Sequence, residues 1–141
     1  QLQEVSSIDV QLAHVGPLSE GCQKGGKPWL APGTPPLEVL FCAFESVTPL
    51  IEKNRPFSKP RQEVISATPA LQERELTKHQ VLSATLATAL RARGVPDVQA
   101  GLAAQVGMAA FAYATLAWLE HGEPGLAERL DQAEEALRSL F

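Results

Sequence analysis

The chain has 141 residues, of which 45% are hydrophobic and 20% charged, and its formal net charge is −4. That length suits one compact domain able to bury a core without staples. The acidic balance excludes a whole-molecule attraction to nucleic-acid phosphates or anionic membranes. Two cysteines, Cys22 and Cys42, make neither C-x-x-C nor a zinc-site spacing, and no cofactor or metal is expected.

Residues 1–35 are expected to form an irregular, partly mobile N-terminal segment, because five glycines and Pro17, Pro28, Pro32 and Pro35 interrupt any regular pattern. A short helix is expected over residues 3–15, where Val5, Ile8, Leu12 and Val15 recur at helical spacing. No basic region precedes an apolar run, so no signal peptide is read there.

Residues 36–141 are expected to be a helical domain. Its first helix is predicted from Thr34 as N-cap to about Asn54. Glu38, Glu45 and Glu52 mark one wet stripe. Leu37, Phe41, Phe44, Thr48 and Ile51 form one apolar face, and Val39, Ala43, Val47 and Leu50 another. A helix apolar around most of its circumference is central to its domain. Pro49 cannot donate to the Glu45 carbonyl, so a kink is expected there. Cys42 falls in this pattern and reads as a small buried hydrophobe, a usage that fits a reducing cytoplasm. Pro56 and Pro60 predict a break and then a short helix from about Lys59. Lys53, Arg55, Lys59 and Arg61, with Phe57 among them, make a short basic stretch. It could be a solvated joint, a nucleic-acid contact, or an anchor for the carboxylate or phosphate of an anionic effector.

The next helix is predicted from Thr68 as N-cap, with Pro69 in its first turn, to Gly94 just past its end. Leu76, His79, Ser83, Leu86 and Leu90 share one side, which places two polar groups on an inward face. His79 reads either as a core histidine satisfied by Glu75 one turn earlier or as a site residue. Asp97 is expected to cap a third long helix ending near His121 and Gly122. Residues 98–119 contain no charge, but alanine, glycine and several polar residues fit the buried helix of a soluble bundle better than a membrane span. A last helix is predicted from Pro124 to about Leu140. In it Leu126, Leu130, Ala133, Leu137 and Leu140 step by four and three like a coiled-coil seam. No strands are expected, because β-branched residues are sparse and nothing alternates.

The third long helix is smooth and apolar on all sides, and one chain offers too little surface to cover it. A dimer interface is therefore expected from Val106, Ala110, Tyr113 and Ala117 together with Leu126, Leu130, Ala133, Leu137 and Leu140. A small-molecule site is expected from Phe41, Phe44, Thr48, Ile65, His79, Ser83, Gln105, Met108, Phe111 and Thr115, an apolar lining with few polar anchors. No nucleophile elbow, zincin or phosphate-loop pattern occurs, so an enzyme is not expected. A helical interaction module without ligand, and a small helical enzyme using His79 with Glu75, remain the alternatives.

Residues 66–76 (S-A-T-P-A-L-Q-E-R-E-L), 89–97 (A-L-R-A-R-G-V-P-D), 103–111 (A-A-Q-V-G-M-A-A-F), 118–122 (W-L-E-H-G) and 126–137 (L-A-E-R-L-D-Q-A-E-E-A-L) occur in the order and spacing of a known family. The run resembles the C-terminal half of TetR-type transcriptional regulators. The resemblance implies an all-α antiparallel bundle, with the first helix of the 36–141 unit beside an effector cavity and the last two helices forming a homodimer interface. It also implies a small hydrophobic or acyl-CoA-like effector, and a cytoplasmic repressor rather than a membrane protein. Members carry an N-terminal helix-turn-helix. Residues 1–35 do not resemble one, so operator DNA would be contacted only through a domain not recognisable in this sequence.

Overall fold

The computed structural model describes residues 33–141 and two short strands, β1 (Gln23–Lys24) and β2 (Lys27–Pro28). The helix expected over residues 3–15, and the expected mobility of the N-terminal segment, lie outside the described residues. The strands correct the expectation of none. They pair antiparallel, with Gln23 opposite Pro28 and Lys24 opposite Lys27. The sequence signal overlooked is the Gly-Gly dipeptide at positions 25 and 26, a pair that favours hairpins.

Five helices follow: α1 (Pro36–Lys53), α2 (Arg55–Ser66), α3 (Pro69–Ala92), α4 (Asp97–His121) and α5 (Leu126–Ser139). The fold is the expected all-α bundle. α1 is its centre, because Val39, Leu40, Phe41, Cys42, Ala43 and Phe44 are buried in succession. Around it, α4 packs against α3, α5 and α1, and α5 closes over α1 and α4. Aromatic contacts tie the middle together. Phe41 meets Phe44 edge-on at 5.9 Å, and Phe44 lies 4.6 Å from Phe111 on α4. α1 and α4 approach closely at Gly107, where a Cβ would stand 2.9 Å from Leu40 Cδ1.

The termini follow local rules, with small corrections. α1 is N-capped by Pro35 rather than Thr34, with Pro36 opening the helix, where a missing N–H costs nothing. The chain stays helical through Pro49 to Lys53. α2 begins at Arg55 instead of about Lys59, because Pro56 falls in the first turn, where proline is tolerated. Thr68 caps α3 by backbone geometry alone, since its hydroxyl donates to the Val64 carbonyl at 2.8 Å. α3 ends in a Schellman motif. Gly94, at φ +91, donates to Arg91, and Val95 donates to Leu90. α4 is capped by Pro96, leaving Asp97 inside its first turn and paired with Arg91 at 2.5 Å. Gly125 caps α5, which starts at Leu126, two residues beyond the expected Pro124, after a cis Glu123–Pro124 bond.

Two expectations need larger correction. Cys42 is buried as expected, but it is disulfide-bonded rather than a free thiol. The seam of α5 faces its own chain. Leu126 and Leu130 are 0% exposed, and Ala133 and Leu137 pack against the same core. Buried in their own subunit, Leu126 and Leu130 have no surface left for a second copy.

α4 nonetheless keeps an open apolar face. Val98, Leu102, Tyr113 and Leu116 are 71%, 59%, 78% and 41% exposed. With Gln105 and Ala109, also exposed, they step by four, three, four, four and three along one side. Val106, Ala110 and Ala117 are half-buried on its flank, and Leu140 is exposed. By length and composition α4 is apolar enough to cross a membrane, yet its other side forms much of the core.

Candidate functional site

Two adjoining cavities lie on the side of the bundle where α2 crosses α3. The inner one, about 420 Å³, is walled by Ile51 of α1, Ile65 of α2, Leu82 of α3, and Met108, Phe111, Thr115 and Trp118 of α4. The outer one, about 860 Å³, is an open groove between α2 and the start of α3, with Phe57, Val64 and Leu71 as its apolar lining. Both sizes are those of small-molecule sites. The inner cavity is lined in part by α2, a short helix with Pro56 in its first turn. This helix leaves α1 at Asn54 and packs against both α3 and α4.

Of the ten residues expected at a ligand site, Ile65, His79, Met108, Phe111 and Thr115 line the inner cavity. The other five do not. Phe41 and Phe44 are consumed by the core, and the buried Thr48 hydroxyl donates to the Phe44 carbonyl at 3.0 Å. Ser83 is half-buried outside the lining, and Gln105 is exposed on the free face of α4. Sequence reasoning missed Trp118, Leu82 and Ile51. The hydroxyl of Thr115, an expected site residue, is buried without a hydrogen-bond partner.

Charge gathers at the junction of the two cavities. Arg61 and Lys78 both donate to Glu75 Oε1, at 2.6 and 2.8 Å, and His79 Nε2 stands 3.9 Å from Glu75 Oε2. Burial by itself raises the Glu75 carboxyl. The hydrogen bonds from Lys78 and Arg61, and their charges, outweigh burial and hold its pKa below the ordinary value. The basic stretch read from the sequence is thus divided by the fold. Arg61 joins this cluster. Arg55 turns inward instead, donates to the Leu119 carbonyl at 3.0 Å and lies 5.6 Å over the Trp118 ring.

His79 and Glu75 have no third metal-ligating partner among the described residues. The one group there with that composition is Glu45, Asp131 and Glu134, on α1 and α5. None of these lines either cavity, and Arg138 donates to Glu134 at 2.9 Å.

A bundle with a central buried helix, a cavity under a short crossing helix and a long helix with one bare apolar face is the architecture of a ligand-binding and dimerisation domain of regulators. The family comparison gives the same answer. Residues 34–141 match the model described as the MftR C-terminal domain, and the chain belongs to this family of TetR C-terminal domains. No curated protein and no solved structure matches the chain.

Proposed function

We infer that residues 36–141 are the effector-binding and dimerisation domain of a TetR-like repressor that responds to a small hydrophobic or acyl-type ligand held in the inner cavity. The observation that carries this reading is the cavity wall. Ile65, Leu82, Met108, Phe111 and Trp118 supply apolar surface, and Arg61, Lys78 and His79 supply polar groups in the same lining. That is the anatomy of a site that binds by burial and orients by one or two hydrogen bonds.

A homodimer is the second part of the reading. The stripe Val98, Leu102, Gln105, Ala109, Tyr113 and Leu116 is the surface offered to a second copy, with Val106 and Ala117 on its flank. A twofold pairing of α4 with α4 would cover it isologously. Work in the cytoplasm follows from the regulator's partner being DNA, and not from the cysteines.

The test uses Trp118 as reporter in a Trp29→Phe background, with 1-dodecanol and dodecanoate as probes. Saturable fluorescence changes and a raised melting temperature are expected. Ala112→Phe, which projects a ring from the cavity wall, should abolish both while the far-ultraviolet circular dichroism is kept. Absence of saturable binding by either probe would refute the reading.

A further inference from the structure

The inner cavity and the outer groove share one ionic partition. Arg61, Glu75 and Lys78 line both spaces. Their side chains are only 30%, 21% and 27% exposed. Two cations from different helices converge on a single carboxylate oxygen, and an imidazole faces the other oxygen. Such convergence at a partly buried position is how proteins bind a carboxylate or phosphate. Here the anion is a side chain of the protein itself. It sits where the two cavities adjoin, a position the head of an amphiphile would reach once its alkyl chain lay in the inner one.

Glu75 is one turn from Lys78 on the same helix, and side-chain hydrogen bonds from Arg61 and Lys78 hold its carboxylate. A change of rotamer withdraws the carboxylate from Arg61 and Lys78 without moving α3. Resting on the effector reading above, we propose that Glu75 is a displaceable internal counter-ion. It holds Arg61 and Lys78 in place in the empty domain and yields them to the anionic head of an amphiphile whose tail fills the inner cavity. The ligand class is thereby an alkyl or acyl chain ending in a carboxylate or phosphate. Glu75 is the residue that sets how much affinity such a head must supply before it is admitted. The carboxyl's persistence in the ionised form at neutral pH supports this, since a neutral acid would not compete for the two cations.

The full 141-residue chain is titrated calorimetrically with dodecanoate and with 1-dodecanol, which share a tail and differ in head charge. Glu75→Gln keeps the shape and removes the competitor. Dodecanoate is expected to bind it about tenfold tighter than the original chain, with dodecanol changed by less than about twofold. Adding Arg61→Gln to Glu75→Gln should cancel the gain for dodecanoate alone, which a merely structural role of Glu75 would not produce. Glu75→Ala serves in its place where the Gln variant loses helical signal. Weaker dodecanoate binding in Glu75→Gln, or equal tightening of both probes, would overturn the proposal. If dodecanol binds and dodecanoate is indifferent to the substitution, this inference alone falls. If neither probe binds any form, the effector reading falls with it.

Discussion

Leu102→Ala and Leu130→Ala separate the two faces that carry leucines at coiled-coil spacing. Leu102 is 59% exposed on α4 and Leu130 is 0% exposed under α5. Full burial of a leucine is worth about 1.5–3 kcal/mol, so covering the exposed part of Leu102 recovers about 1–2 kcal/mol. Twofold symmetry counts the residue twice, which gives about 2–4 kcal/mol, or roughly a 30- to 900-fold rise in the dimer dissociation constant on truncation. Urea stability of the dissociated subunit should hardly change. Leu130→Ala leaves a hole in a filled core and should cost about 2–5 kcal/mol of subunit stability at any protein concentration. Sedimentation velocity over a dilution series, with urea unfolding below the dissociation constant, reads both quantities. An unchanged dimer constant for Leu102→Ala would refute the assignment of the α4 face. A Leu130→Ala variant that dissociates without losing subunit stability would return the interface to α5.

Other substitutions probe the packing and the site. Thr115→Val replaces a buried, unpartnered hydroxyl by a methyl and should stabilise the empty domain by about 1–2 kcal/mol in urea unfolding. Gly107→Ala should come out near neutral, because a helix-propensity gain of about 1 kcal/mol offsets pushing the Leu40 methyl aside. Gly107→Leu has no such escape and should cost several-fold more, as overpacking of about 1–3 kcal/mol or above. Gly94→Ala forces a side chain to φ +91 at the end of α3 and should lower stability by about 1 kcal/mol, visible in the thermal midpoint. Because the Glu75 pKa is lower folded than unfolded, its ion pairs contribute stability above the ordinary carboxylate pKa. That contribution is lost as pH falls through the lower folded value. Glu75→Gln should therefore flatten the acid limb of a stability–pH profile, and an unchanged limb would show that other groups dominate it.

Half of the residues expected at the ligand site reach the cavity, and the division has a physical pattern. Met108, Phe111 and Thr115 lie on the side of α4 turned to the crossing of α2 and α3, so helical spacing located them together. Phe41 and Phe44 share a face with Thr48, but α4 and α5 press against that face and fill it. Trp118 was missed because an aromatic near a helix end carries no periodic signal of its own. Its role comes from Arg55, 63 positions earlier, lying over its ring.

Composition, periodicity and turn residues were enough to determine that the described region is a helical bundle, where its helices stop, that α1 is central, and that α4 carries more apolar surface than one neighbour can use. Those are properties of residues close together in the chain, where proline, glycine and spacing act directly. Tertiary structure decided which apolar stripe would be left bare. A period of 3.6 says which side chains share a side of a helix, but not which neighbour that side will meet. The leucine seam of α5 turned inward because α1 and α4 needed a cover. The free surface passed to α4 itself, and a pair of cations read as one basic stretch was split between an aromatic ring and a carboxylate.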